Sequence, residues 1–321
     1  MKTPATTKLG FTLAGMLGLI VTSAHADTFG TTGNEFTIDF VDIGNAGNAD
    51  DTGAGGGIYS SLYGGVSYGY RMGTFEISQD AITKATASGL LNVTAGAHTG
   101  AEPAAGISWY EAAAFVNFLN TSTGHQAAYQ IDVGVTTLTL WSSGDAWQLD
   151  GENLYRHKDA YYFLPSEDEW YKAAFHQNDG VTANYWDYAA GSNTIPTAVA
   201  SGTTAGTAVY DTVAGDPAEV DNAGGLSPYG TRGQNGNVWE WQESAFTAPN
   251  DSPSENRLVR GGAWSHPESL LRSSSRIITG PTGSTGNIGF RVASVPEPTA
   301  SMLMIVSGLM WMARRRRESA P

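Results

Sequence analysis

Glu167-Asp168-Glu169 sets three carboxylates side by side, the residue type used in pairs to cleave glycosidic bonds. Neighbouring helical positions point in different directions, so a helix would not aim these three at one substrate atom. Ser166 and Glu169 instead form the S-x-x-E pattern of a helix start, where acids favour the positive end of the helix dipole. The body also carries His98, His125, His157, His176 and His266. None stands in an H-E-x-x-H or H-x-H arrangement, so the fold would have to assemble any two-histidine, one-carboxylate iron site. A surface or half-buried histidine is the plain expectation for each. The chain of 321 residues contains no cysteine. Disulfides, thiolate-bound metals, iron–sulfur clusters and thiol nucleophiles are therefore excluded. A G-x-S-x-G elbow is missing, and the run Gly53–Gly57 lacks the lysine of a phosphate-binding loop. Serine-hydrolase and nucleotide chemistry are unsupported.

The elements that would position these residues are short. Ser78, Ser108 and Ser166 each precede a stretch with helical spacing. The first helix should run to about residue 87. Ser108-Trp109-Tyr110-Glu111 is a second capping box, followed by Ala112, Phe115, Val116 and Leu119 on one face, with Gly124 beyond the end. Strands are expected near 36–41, 135–140, 161–164 and 257–260. With 40 glycines and 11% aromatics, the body reads as α+β with few regular elements, in a single domain over 27–294.

The two ends read as addresses. Lys2 and Lys8 precede an apolar run to Val21, and Ala24-His25-Ala26 offers a small-x-small cleavage site, so residues 1–26 read as a secretory signal. At the other end, Val295-Pro296-Glu297-Pro298 leads into an apolar run closed by Arg314–Arg317. Residues 295–321 resemble the PEP-CTERM sorting signal. That resemblance implies an exosortase-type partner, transient membrane anchoring through the tail, and an envelope or secreted destination in a Gram-negative bacterium. Apart from the ends, 11 bases face 29 acids, a net −18 against −14 for the whole chain. Such a surface repels phosphate backbones and argues against nucleic acid as a partner.

Six segments in order carry a second resemblance. They are Tyr70-Arg71-Met72-Gly73-Thr74-Phe75-Glu76-Ile77-Ser78, Ile107-Ser108-Trp109-Tyr110-Glu111-Ala112, Phe163-Leu164-Pro165-Ser166-Glu167-Asp168-Glu169-Trp170, Gly236-Asn237-Val238-Trp239-Glu240-Trp241, Arg260-Gly261-Gly262-Ala263-Trp264 and Gly289-Phe290-Arg291-Val292. Over about 36–293 they resemble the formylglycine-generating enzyme, or sulfatase-modifying factor, family. The resemblance implies one α+β domain related to C-type lectin-like folds. It makes 127–160 look like an insertion, expected as a surface hairpin.

Members of that family oxidise a cysteine with copper held by two cysteines after the Arg-Gly-Gly motif. Here His266 and Leu271 stand at those positions, so no copper is expected. Trp239 and Asn287 match residues lining the family's pocket and, with His266, form the candidate ligand cleft; no catalytic residue is assigned. The resemblance further implies structural calcium at two sets of oxygens. One is Asn184, Tyr185, Asp211 and Val213. The other is Gly236, Val238 and Glu240, with Gly233 where a ligand side chain commonly stands. The resulting expectation is a calcium-stabilised binding or structural protein for a glycan or peptide ligand. Loop residues Tyr59, Tyr63, Tyr68 and Tyr70 would offer rings to that ligand. The alternative is a cysteine-independent oxidase of the wider family, for example with non-haem iron, or a modifying enzyme of unknown substrate. Internal ion pairs are expected to join Arg260 and Arg291 to Glu240 or Glu169.

Overall fold

The computed structural model describes residues 25–295 apart from 54–61, 91, 94, 95, 97 and 214. Nearly all of the signal segment, the tail beyond Val295 and Tyr59 lie outside the described residues.

All three expected helices form, and each starts where its serine caps it. Helix α1 is Gln79–Ala87, with Ser78 accepting from the Ala81 N–H. Helices α2, Trp109–Ser122, and α3, Glu167–Phe175, carry complete capping boxes at Ser108/Glu111 and Ser166/Glu169. Each box satisfies backbone donors that the first helical turn leaves without partners.

Two sheets hold these helices. The first has five strands in the spatial order His25–Phe29, Phe36–Ile43, Tyr70–Gly73, Ala293–Ser294, Tyr162–Phe163. All its pairings are antiparallel, and the last strand in sequence sits inside it, between Tyr70–Gly73 and Tyr162–Phe163. The second sheet runs Ile277–Thr279, Arg257–Arg260, Trp239–Ala245, Ile288–Gly289, with only the last pairing parallel. The principal core joins both sheets to α1 and α2. Phe36, Ile38 and Phe40 come from the first sheet, Trp239, Trp241 and Val259 from the second, and Ile82, Phe115, Val116 and Leu119 from the helices. Buried indoles need acceptors. Trp109 Nε1 donates to the Gln242 carbonyl at 3.0 Å and Trp241 Nε1 to the Ile107 carbonyl at 2.7 Å, which locks α2 onto the second sheet.

The segment 127–160 corrects the surface-hairpin expectation. It forms two small hairpins, Gln130–Ile131 with Leu138–Thr139 and Ala146–Trp147 with Asn153–His157. It is not a surface addition, because Tyr129, Tyr155 and Arg156 are buried in the interior. The expected strand near 135–140 shrinks to two residues, since Val135 takes a positive φ of 55° in the turn.

Candidate functional site

The Gly236–Trp241 motif leads into Trp239–Ala245, an interior strand of the second sheet. Gly236 has φ +89°, and a Cβ there would stand 2.1 Å from the Val209 carbonyl oxygen, so no larger residue fits. This close approach fixes the start of the strand that carries Trp239. The Trp239 N–H donates to the Asn287 carbonyl at 2.9 Å, and its ring meets the His266 imidazole edge-on at 5.6 Å. Trp239 thus touches both His266, through its ring, and Asn287, through its backbone. Trp239 is buried, whereas His266 and Asn287 are half-buried. His266 Nδ1 has no hydrogen-bond partner, and burial lowers the imidazole pKa, favouring the neutral ring. Leu271 is fully buried. It packs with Tyr188, Ala208 and Tyr210, and its Cδ1 lies where a Gly262 side chain would begin. This pair supplies one imidazole and one hydrocarbon, which does not fit the soft-donor demand of Cu(I).

The residues of the calcium expectation are placed as follows. Glu240 is fully buried and accepts from Arg291 Nε at 2.5 Å, Arg291 Nη2 at 2.7 Å and Trp170 Nε1 at 2.7 Å. Its neighbour Glu76 occupies the space beside Gly233, with both oxygens within 2.8–3.1 Å of a Cβ placed there. Glu76 accepts from Asn237 Nδ2 at 2.7 Å and the Val238 N–H at 3.2 Å. Burial, then Glu240, pushes the Glu76 carboxyl well above its ordinary pKa. The Arg291 guanidinium thus supplies the positive charge beside Glu240. In the other set, Asn184 Nδ2 donates to Asp179 at 2.7 Å and the Tyr185 carbonyl accepts from Gln177 Nε2 at 3.3 Å. The Asp211 N–H donates to the His266 carbonyl at 2.9 Å, and Val213 is exposed. Among the described residues, no three His, Asp or Glu side chains cluster as a metal site.

The ion pairs differ in part from expectation. Arg291 pairs with Glu240 as read, but Arg260 Nε donates to Glu167 at 2.8 Å rather than to Glu240 or Glu169. The three acids of α3 separate as helix geometry demands. Glu167 takes Arg260 and Arg276, Asp168 accepts from the Gly64 N–H at 2.9 Å, and Glu169 takes Arg156. Arg156 bridges two buried carboxylates, donating to Glu169 at 2.9 Å and to Glu243 at 2.7 Å. Tyr68 adds a 2.6 Å bond to Glu169, and Tyr129 a 2.6 Å bond to Glu243. Burial presses Glu169 toward its neutral form, but Arg156 and its other donors hold its pKa below the usual value; burial keeps Glu243 above it. Sequence reasoning missed this centre. Its signal was Trp239–Ala245, a strand buried along most of its length that still contains two glutamates.

Beside Arg156 opens a cleft of about 460 Å3, lined by residues including Tyr63, Tyr68, Trp147, Asp150, Glu152 and Asp168. The expectation of exposed loop tyrosines is corrected here. Tyr70 is buried with its hydroxyl on the Glu169 carbonyl, while Tyr63 and Tyr68 are half-buried and form cleft wall. Asp168 has its carboxyl pushed up to about 7 by burial, with help from Glu167 and Asp50. The five histidines stand apart from this cleft. His98 bonds the Gly286 carbonyl, His125 stacks on Tyr161, His157 meets Trp141, His176 bonds Tyr229, and His266 meets Trp239.

A helix-poor α+β body, capped serine helices and the Arg-Gly-Gly loop against a Gly-Asn-x-Trp-Glu strand together define a family. The chain belongs to the sulfatase-modifying factor family: the sequence model described as the sulfatase-modifying factor enzyme 1-like domain matches residues 34–295. No curated protein matches the sequence. Solved structures with the same fold include variable protein 1 of Treponema denticola, 21% identical, covering 85% of this chain and 100% of its own, with TM-score 0.55. CarF is 19% identical, covering 81% and 99%, with TM-score 0.57. PvdO from Pseudomonas aeruginosa is 16% identical, covering 84% and 98%, with TM-score 0.53.

Proposed function

We propose that this protein is an exported, cysteine-free family member that binds a glycan or peptide of the envelope or extracellular matrix and does not generate formylglycine. The observation that supports the reading is the chemistry at Leu271. The second metal-ligand position of the family is a fully buried hydrocarbon here, packed against two tyrosines. Export rests on the two sequence addresses. Cleavage after Ala26 would leave Asp27 at the new N-terminus, with its carboxylate already bonded to Arg71 at 2.7 Å and to the Tyr162 hydroxyl at 2.8 Å. The tail would be handled by exosortase-type sorting machinery after anchoring briefly in the membrane of a Gram-negative cell.

The test is co-expression with a sulfatase-derived cysteine peptide, read by mass spectrometry, together with a glycan and matrix-peptide binding array. The expected result is unmodified cysteine and saturable binding of a surface ligand. Aldehyde above the host background, or stoichiometric iron in untagged protein, would return the molecule to the oxidases.

A further inference from the structure

The cleft beside Arg156 has an unusual balance of charge. Its two arginines are committed: Arg156 to Glu169 and Glu243, Arg276 to Glu167 at 2.8 Å. Among the described residues, three lining carboxylates have no ion-pair partner. Asp150 accepts from the Ser67 N–H at 3.0 Å, Glu152 from the Ser143 hydroxyl, and Asp168 from the Gly64 N–H. Asp150 and Glu152 are exposed at the rim, while Asp168 lies deeper. A positively charged group entering here would meet three carboxylates and no free cation.

A second observation narrows the ligand. Trp147 lines the same cleft and is 7% exposed, yet its Nε1–H is buried without an acceptor. The ring is held from several sides, by Tyr68 at 5.7 Å, Phe163 at 5.8 Å and the Arg156 guanidinium at 4.9 Å. A buried donor left unsatisfied is costly, so a ligand that brings an acceptor to it is favoured. The Tyr68 ring in the cleft wall also suits a flat C–H surface. A simple amine offers no acceptor, and a neutral sugar offers no charge. One hexosamine ring carries an ammonium, hydroxyl oxygens and a C–H face. The cleft volume lies in the range of small-ligand sites.

We propose that this cleft binds a glycan bearing free amines, with ammonium groups on Asp150 and Glu152 at the rim and on Asp168 deeper in, a ring oxygen or hydroxyl on Trp147 Nε1–H, and a C–H face on Tyr68. The assignment rests on the reading of the protein as a binder of surface ligands and names the ligand class and the place. The test is calorimetric titration of the purified protein at neutral pH with a glucosamine tetramer, its N-acetylated counterpart and a lysine-rich peptide. The glucosamine tetramer should bind, and the N-acetylated form and the peptide should bind at least tenfold more weakly. D150N/E152Q, which changes only the rim, should weaken binding at least tenfold, and W147F several-fold. Absence of glucosamine binding, equal binding of either competitor, or full affinity in D150N/E152Q would overturn the assignment. Binding of a neutral glycan that H266A abolishes would also overturn it, while leaving the broader binding reading intact.

Discussion

Replacing Arg156 with methionine tests whether the interior of this fold is organised around one guanidinium. The side chain is 1% exposed and bridges Glu169 and Glu243, both fully buried. Methionine keeps much of the volume and removes the charge. Glu169 would retain Tyr68 and the Ser166 N–H, and Glu243 would retain Tyr129 and Asn153, so neither carboxylate would be stripped of donors. Both would nevertheless be buried anions without a cation. Breaking one buried pair costs about 3–5 kcal/mol, and two acids sharing the loss place this variant near 5 kcal/mol. That is a large part of the roughly 5–15 kcal/mol by which domains are stable. The penalty has a pH signature. In the variant, burial raises the folded-state pKa of the acids above their unfolded values, so folding takes up protons. Stability lost at pH 7.5 should then return as pH falls, at about 1.4 kcal/mol per unit for each proton taken up. Between pH 7.5 and 5.5 the gap to wild type should close by about 2 kcal/mol. Adding Glu243→Gln to R156M should recover a similar amount at pH 7.5. The assay is urea unfolding followed by tryptophan fluorescence. A loss below about 1 kcal/mol, or wild-type and variant curves that stay parallel across pH, would refute the reasoning.

Asp168→Asn should alter the pH profile in the opposite sense. The folded carboxyl titrates near 7 against an ordinary 3.8, so wild-type stability falls as pH rises between those values, by at most about 4 kcal/mol. The variant should match wild type near pH 4 and exceed it at pH 8; superimposable profiles would exclude that role. Calcium at millimolar concentration should move the melting temperature by no more than about a degree, since Arg291 already occupies the charge position beside Glu240. A rise of several degrees would show that a cation is bound by oxygens this arrangement does not gather.

Much of the local structure was legible because its causes are local. A serine three residues before a glutamate marks the start of both α2 and α3, and the strand Arg257–Arg260 appears at the expected residues. The association of Trp239, His266 and Asn287 was legible only through motif order. Arg156 was not legible, because the acids that bury it lie 13 and 87 residues away and nothing beside it in sequence signals an interior position. The cleft escaped for the same reason. Its walls come from five separate stretches, and each alone reads as an ordinary loop or a helix start. Two-residue strands such as Ala293–Ser294 are set by distant partners and leave no periodic trace.

That short strand also governs when the molecule can exist. A ribosome or an export channel delivers the chain from its beginning, so the Tyr70–Gly73 and Tyr162–Phe163 strands emerge long before the residues that join them. The first sheet has a gap at its middle until residue 294 is free. Stepwise closure during synthesis is unavailable to such a topology, and the domain must fold in one late event. A chain whose first sheet stays open until Ala293–Ser294 is released is a chain that can still be threaded.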